Sequence, residues 1–218
     1  MSENIPSDLH PLRHSAEHIL TLAMSRLFPG KFLPAMGPAT DDGFYFDFDP
    51  IGDFKINEED FPKIEAEMAK IVKENLPIVR QEISLDEAKK IFADNPYKME
   101  WLEAITNRDE VITTYTIGEF TDLCAGPHVR YSSKVKAFKL LSVAGAYWHG
   151  SEKNKMLTRI YGTAFESKAD LEQYLYLIEE AKKRDHKKLG KELNFLWLVN
   201  TVQAFPSSYQ KVWSFEMN

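Results

Sequence analysis

The sequence predicts an α+β fold: a mostly antiparallel sheet packed with helices and followed by a long C-terminal linker helix. Three observations carry that prediction. Helical and strand periods are mixed, without the regular strand–helix–strand alternation of a parallel sheet. Three long runs, "EVITTYTIGEF", "VKAFKLLSVAGAYW" and "KMLTRIYGTAF", are rich in β-branched and aromatic residues and read as strands. Amphipathic stretches between them begin on capping residues, the mark of helices.

The elements follow in order. Residues 11–27 form a helix: Pro11 suits the first turn, and Leu12, Ala16, Ile19, Leu20, Ala23 and Leu27 make one apolar face. Pro29-Gly30 ends it. "FLPAMGPA" and "FYFDFD" flank Asp41-Asp42-Gly43 and read as a hairpin. In its second strand Phe44, Phe46 and Phe48 alternate with Tyr45, Asp47 and Asp49, so one face is apolar. A second helix spans 58–74, capped by Asn57, with Phe61, Ile64, Met68 and Ile71 on one side. "PIVRQEI" is a short strand, and Ser84 with Glu87 forms a capping box for a third helix through Phe92. After the three long strands, a helix runs from about Ser167 to Lys191, with Leu171, Tyr174, Ile178 and Ala181 on its face. The expected organisation is a domain over 1–165, a linker helix over 166–194 and a tail over 195–218 with no clear period.

Bulk properties narrow the function. The chain has 218 residues, is 44% hydrophobic and 28% charged, and carries a net charge of −6, which argues against broad, non-specific nucleic-acid binding. A nucleic acid held at one local site remains compatible. One cysteine rules out an internal disulfide framework and suits a reducing compartment. No apolar run is long enough to span a membrane, and the N-terminus lacks the layout of a secretion signal. A cytoplasmic address is expected.

Two pairs of side chains carry chemistry. His14 and His18, in "RHSAEHIL", are four apart and share a helix face. Cys124 and His128 lie in "DLCAGPHV", where Gly126-Pro127 makes a loop or strand end. Each pair alone reads equally as packing: satisfied histidines, and a cysteine buried as a small hydrophobe. Together they offer four nitrogen or sulfur donors. Such a set suits tetrahedral zinc, and it also suits a hydrolytic pocket in which imidazoles and a thiol position water. Asp122 lies two residues before the cysteine. Lys98, in "NPYKME", is either a solvated surface lysine or, in a partly desolvated pocket, a group that handles a proton.

These motifs resemble a known family. "HSAEH", "GPATDDGFYFDFD", "DLCAGPHV" and "AGAYWHGSEKNKMLTRIYGTAF" occur in the order found in the editing domain of bacterial-type threonyl-tRNA synthetases. "LIEEAKKRDHKKLGKEL" is similar to the helix leading from that domain to the synthetase catalytic core. The resemblance covers about residues 11 to 194. Related alanyl-type editing proteins share the His-x-x-x-His and Cys-x-x-x-His pairs but usually have Gly-Thr before the last histidine, so "CAGPH" points to the threonyl branch.

The resemblance implies hydrolysis of the ester in mischarged Ser-tRNA(Thr) at the tRNA 3′ end. A binding pocket discriminates weakly against a substrate lacking one methyl, by ~1–3 kcal/mol, so a second, hydrolytic site corrects the error. Carried over position by position, His14, Lys98, Asp122 and Cys124 form the water-handling group, with Asp122 holding Lys98 or His14. His18 and His128 line the serine and terminal-adenosine pocket, beside Tyr45 and Phe46. The family often has a second tyrosine at the position of Phe46, and many relatives carry arginine where this chain has His149. No metal is expected to be required. If zinc were bound, His14, His18, Cys124 and His128 would hold it, and the function would shift toward a zinc-dependent alanyl-type deacylase. A catalytically idle tRNA-binding module is the other alternative. No aminoacylation core is recognisable after residue 194, so the expectation is a synthetase fragment or a free-standing trans-editing protein. Expected partners are the tRNA(Thr) 3′ end carrying serine and, through the C-terminal helix, a second copy of the chain. The basic run at 182–188 reads as a solvated helix end or as a tRNA contact.

Overall fold

The computed structural model describes residues 9–183. It is α+β, with two antiparallel sheets and five α-helices among the described residues. Helix α1 (His10–Leu27) comes first, followed by β1 (Phe32–Pro34) and β2 (Phe44–Pro50). A 3-10 turn at Glu58–Asp60 leads into α2 (Phe61–Glu74), then β3 (Ile78–Glu82), α3 (Leu85–Ile91) and α4 (Pro96–Asn107). Strands β4 (Thr113–Ile117), β5 (Phe120–Leu123), β6 (Ala137–Tyr147) and β7 (Met156–Phe165) precede α5 (Lys168–Lys183). One sheet has the order β1-β2-β7-β6 and the other β3-β4-β5. The chain divides after Leu171: the first unit holds both sheets and α1 to α4, and the second begins at Glu172 within α5.

Helix α1 is the hub of the first unit. It packs on α2, β2 and β7 and also touches β4 and β5. Ala16, Ile19, Leu20, Leu22, Ala23 and Met24 are fully buried. The sequence predicted one apolar face, yet Arg13, Glu17, His18 and Thr21 are buried as well. A helix enclosed on several sides must satisfy its polar side chains internally. Arg13 does so by donating to the carbonyls of Ala164, Thr40 and Asp41, which ties the β1–β2 hairpin turn to the helix.

Strand β2 departs from the predicted alternation in the same way. Phe44, Phe46 and Phe48 enter the core, but Asp47 and Asp49 on the other face are also buried. Asp47 stands opposite Arg159 in the β2–β7 register and forms a two-armed ion pair with it, 2.6 Å from Nε and 2.8 Å from Nη2. Asp49 accepts from the Tyr97 hydroxyl at 2.8 Å and from Lys155 Nζ at 2.7 Å.

Two elements differ from expectation. The run "EVITTYTIGEF" is not one strand: it folds back at Gly118, whose φ of +56° needs no Cβ, to make the β4–β5 hairpin. Helix α4 was not anticipated. Asn95 caps it by accepting from the Tyr97 and Lys98 amides, with Pro96 in the first turn. The Asn57 and Ser84 caps stand where they were predicted, and Ser167, at the predicted start of the last helix, accepts from the Asp170 amide. The expected continuation of the last helix to Lys191, most of the basic run at 182–188 and the tail lie outside the described residues.

Candidate functional site

Four elements converge on one cavity of about 250 Å³. Helix α1 supplies His14, Glu17 and His18, one turn apart along one face. The end of β5 and the loop after it supply Asp122 and Cys124, and α4 supplies Lys98. Phe46, from β2, lies beneath Lys98 with the Nζ 5.5 Å from its ring centre. The loop geometry depends on Gly126. Its φ is +77°, and a Cβ there would sit 2.3 Å from the Tyr115 hydroxyl. The tight turn returns the chain so that Cys124 and His128 face the same histidines.

The four predicted donors are assembled. Cys124 Sγ lies 3.2 Å from both His14 Nε2 and His128 Nε2. The His128 ring sits 4.0 Å from the His14 ring and 4.2 Å from the His18 ring. Ser15 Oγ stands 3.2 Å from His128 Nδ1 and accepts from the Val129 amide at 2.9 Å, fixing the loop to α1. Lys98 and Asp122 form a buried ion pair, and the Leu123 amide donates to Asp122 at 2.8 Å. Asp122 therefore holds Lys98 rather than His14. Lys98 itself is only 2% exposed, so the surface reading of this lysine does not hold.

Burial controls protonation here, because charging a group away from water is costly. It lowers His14 to about 4, with the neighbouring His10 adding to the effect. It lowers His128 to about 2, helped by His14 and His10. His18 also falls well below its ordinary value, by burial and then by His128 and His14. The same burial pushes the Cys124 thiol up to about 12, so it is a thiol and not a ready nucleophile. Glu17, which sequence reasoning passed over, is 1% exposed and rises well above the carboxylate range through burial and the Asp122 charge. Its Oε2 makes no hydrogen bond and stands 3.6 Å from His14 Nε2. Its position three residues after His14 was the signal available.

The predicted residues do not all share one space. Phe46 and Tyr45 point to opposite faces of β2. Phe46 lines the donor cavity, whereas Tyr45 lies under the Arg159 guanidinium, 3.9 Å from its ring centre, in an adjoining cleft. His128 stacks on the other imidazoles within the cluster.

The donor set fits a metal in part. The ligand atoms of His14, His18, Cys124 and His128 all lie within 4.8 Å of one another, and a tetrahedral zinc needs edges of about 3.3–3.7 Å. The outer support is weaker. Zinc-bound imidazoles normally anchor their second nitrogen, yet neither His14 Nδ1 nor His18 Nδ1 has a hydrogen-bond partner.

Residues 112–161, which include Asp122, Cys124 and His128, match the profile of the threonyl and alanyl tRNA synthetase second additional domain. The chain is 57% identical over 193 residues to a threonine--tRNA ligase of Thermotoga neapolitana, covering 88% of this chain and 30% of the relative. It is 56% identical over 196 residues to one of Dehalococcoides mccartyi, covering 90% and 33%. This chain carries the second additional domain. A threonine--tRNA ligase of Clostridium tetani is 54% identical over 202 residues, 92% of this chain and 31% of the relative. The second additional domain chain thus spans about a third of the length of these relatives. Among its described residues no helix is long and apolar enough to cross a membrane.

Proposed function

We propose that this domain hydrolyses the ester of mischarged Ser-tRNA(Thr) at the tRNA 3′ end. The observation that carries the reading is the junction of a buried Lys98–Asp122 pair with neutral imidazoles in one cavity. A water in the cavity attacks the ester carbonyl and passes a proton to His14, which is neutral at physiological pH and so has a free lone pair. The Lys98 ammonium, fixed by Asp122, stabilises the negative charge that develops on the ester oxygen. As the bond to the ribose breaks, Lys98 gives a proton to the departing ribose oxygen, and the His14 proton returns through solvent. Cys124 donates its S–H to an imidazole and shapes the floor. His18 and Phe46 bound the space for serine and the terminal nucleoside, and His128 packs against the His14 and His18 rings and holds them in place. No metal is required by this scheme.

The test is to incubate the protein with Ser-tRNA(Thr), Thr-tRNA(Thr) and Ser-tRNA(Ala), with and without chelator. Selective, chelator-insensitive loss of the first is expected, falling steeply in His14→Ala and Cys124→Ala while both keep a native circular dichroism spectrum. Near wild-type deacylation by both variants overturns the assignment. The close packing of the four donors favours one second reading, a zinc-dependent alanyl-type deacylase. Chelator-sensitive loss of Ser-tRNA(Ala) would establish it instead.

A further inference from the structure

A second cleft, of about 540 Å³, adjoins the donor cavity. The two share a wall made by Met36, Gly37, Pro38 and Trp101. The second is lined by aromatic rings: Tyr45, Trp101, Tyr147 and Trp148. The proposed hydrolysis gives none of Trp101, Tyr147 and Trp148 a role. The rings are held in place. Trp148 Nε1 donates to Glu100 at 2.9 Å, its carbonyl accepts from Asn154 Nδ2 at 2.8 Å, and its ring meets Tyr97 edge-on at 4.9 Å. Tyr45 is pinned beneath Arg159. Tyr147 is 42% exposed at the rim.

The charge pattern selects among ligands. Arg159 is the cation in the cleft floor, and Asp47 neutralises it with two short contacts. A phosphate would find no net positive charge there. A nucleobase would find what it needs, since stacking on aromatic faces works with every base and needs no charge. The ester must reach His14 and Lys98, so the terminal nucleoside occupies the mouth of the donor cavity, along Met36–Pro38 and Trp101. The cleft beyond that strap lies one step further along the strand.

We infer that this second cleft is a stacking site for the nucleotide that precedes the terminal adenosine of the tRNA 3′ end. The inference rests on the proposed hydrolysis of a tRNA ester, and it adds a subsite that reads the single strand by stacking.

The experiment compares two minimal substrates on the full chain, the 3′-seryl esters of adenosine and of CpCpA. The trinucleotide ester is expected to have a KM about tenfold lower at similar kcat, as one stacked base commonly contributes. Tyr147→Ala, at an exposed position, should remove most of that advantage while leaving the adenosine ester unaffected. In parallel, CpCpA should quench tryptophan fluorescence strongly in the wild type and only as weakly as adenosine alone in Trp148→Phe, where Trp101 still meets the terminal base. Equal KM for both esters in the wild type, or a trinucleotide advantage that survives in Tyr147→Ala, overturns the subsite. Full quenching by adenosine alone also overturns it, by assigning the cleft to the terminal base. If neither ester is hydrolysed, the proposed activity fails, and the fluorescence titration still decides whether the cleft stacks CpCpA.

Discussion

Replacing His128 with asparagine should flatten the acid arm of the stability curve. In the folded protein burial holds His128 at about 2, against an ordinary value of 6.5. Its folded pKa is depressed, so the neutral form is the native one. Its contribution is complete above the unfolded value and is lost as pH falls, because the unfolded chain takes up a proton that the folded one refuses. Between about pH 7.5 and about pH 5 the unfolded imidazole gains roughly 1.5 log units of proton binding and the folded one almost none, which converts to about 2 kcal/mol. Asparagine cannot titrate, and its amide can still meet Ser15, which holds His128 Nδ1 now. The substitution lowers stability at both pH values through lost packing, and the difference between the two drops isolates the titration. His14 and His18 contribute with the same sign in both proteins, since burial is the leading cause for each. Glu17, with its raised pKa, loses stability as pH rises through its window and opposes them, again in both. Urea unfolding at the two pH values, in chelator, measures the comparison. Wild type should lose about 2 kcal/mol more than His128→Asn on acidification. Equal losses would mean that His128 titrates normally in the folded state, and the neutral cluster on which the mechanism depends would fall with it.

Other substitutions and additions probe the same site. Lys98→Met leaves Asp122 as a buried unpaired carboxylate and should cost about 3–5 kcal/mol in thermal or urea unfolding, whereas adding Asp122→Asn should recover much of that without restoring hydrolysis. Gly37→Ala would place a Cβ 1.8 Å from the Tyr45 carbonyl oxygen, so the strap shared by both clefts must leave β2; a lower melting temperature and a raised KM are expected. Zinc added to chelator-treated protein should inhibit deacylation, because the metal would take up the His14 lone pair that the water needs; activation by zinc would reverse the metal-independent reading.

Much of the donor set was legible because it is local. His14 and His18 share a helix face by spacing alone, and Gly126-Pro127 announces a turn between Cys124 and His128. The partners that set their chemistry are not local. Lys98 looks like any surface lysine until α4 is recognised, and α4 hides its period. Its inward face mixes Tyr97 and Lys98 with Leu102 and Ile105, so no clean apolar stripe marks it, although Asn95 and Pro96 spell a helix start. Asp47 and Asp49 follow the strand alternation to a face that reads as solvent, and only Arg159, Lys155 and Tyr97, brought from distant segments, make their burial affordable.

The most consequential misreading is a single glycine. Taken as one strand, "EVITTYTIGEF" would run straight past the helix. Gly118 instead reverses the chain, pairing Thr114 with Leu123 and Tyr115 with Asp122. That reversal sets Asp122 against Lys98 and hands Cys124, whose amide bonds to the Thr113 carbonyl, to the imidazoles of α1. Gly-Glu between two β-branched or aromatic runs is a hairpin signal in its own right. The sheet could close either way on propensity alone. The ion pair and the thiol–imidazole contacts are satisfied only when it folds back, so the polar site is itself part of what selects the turn.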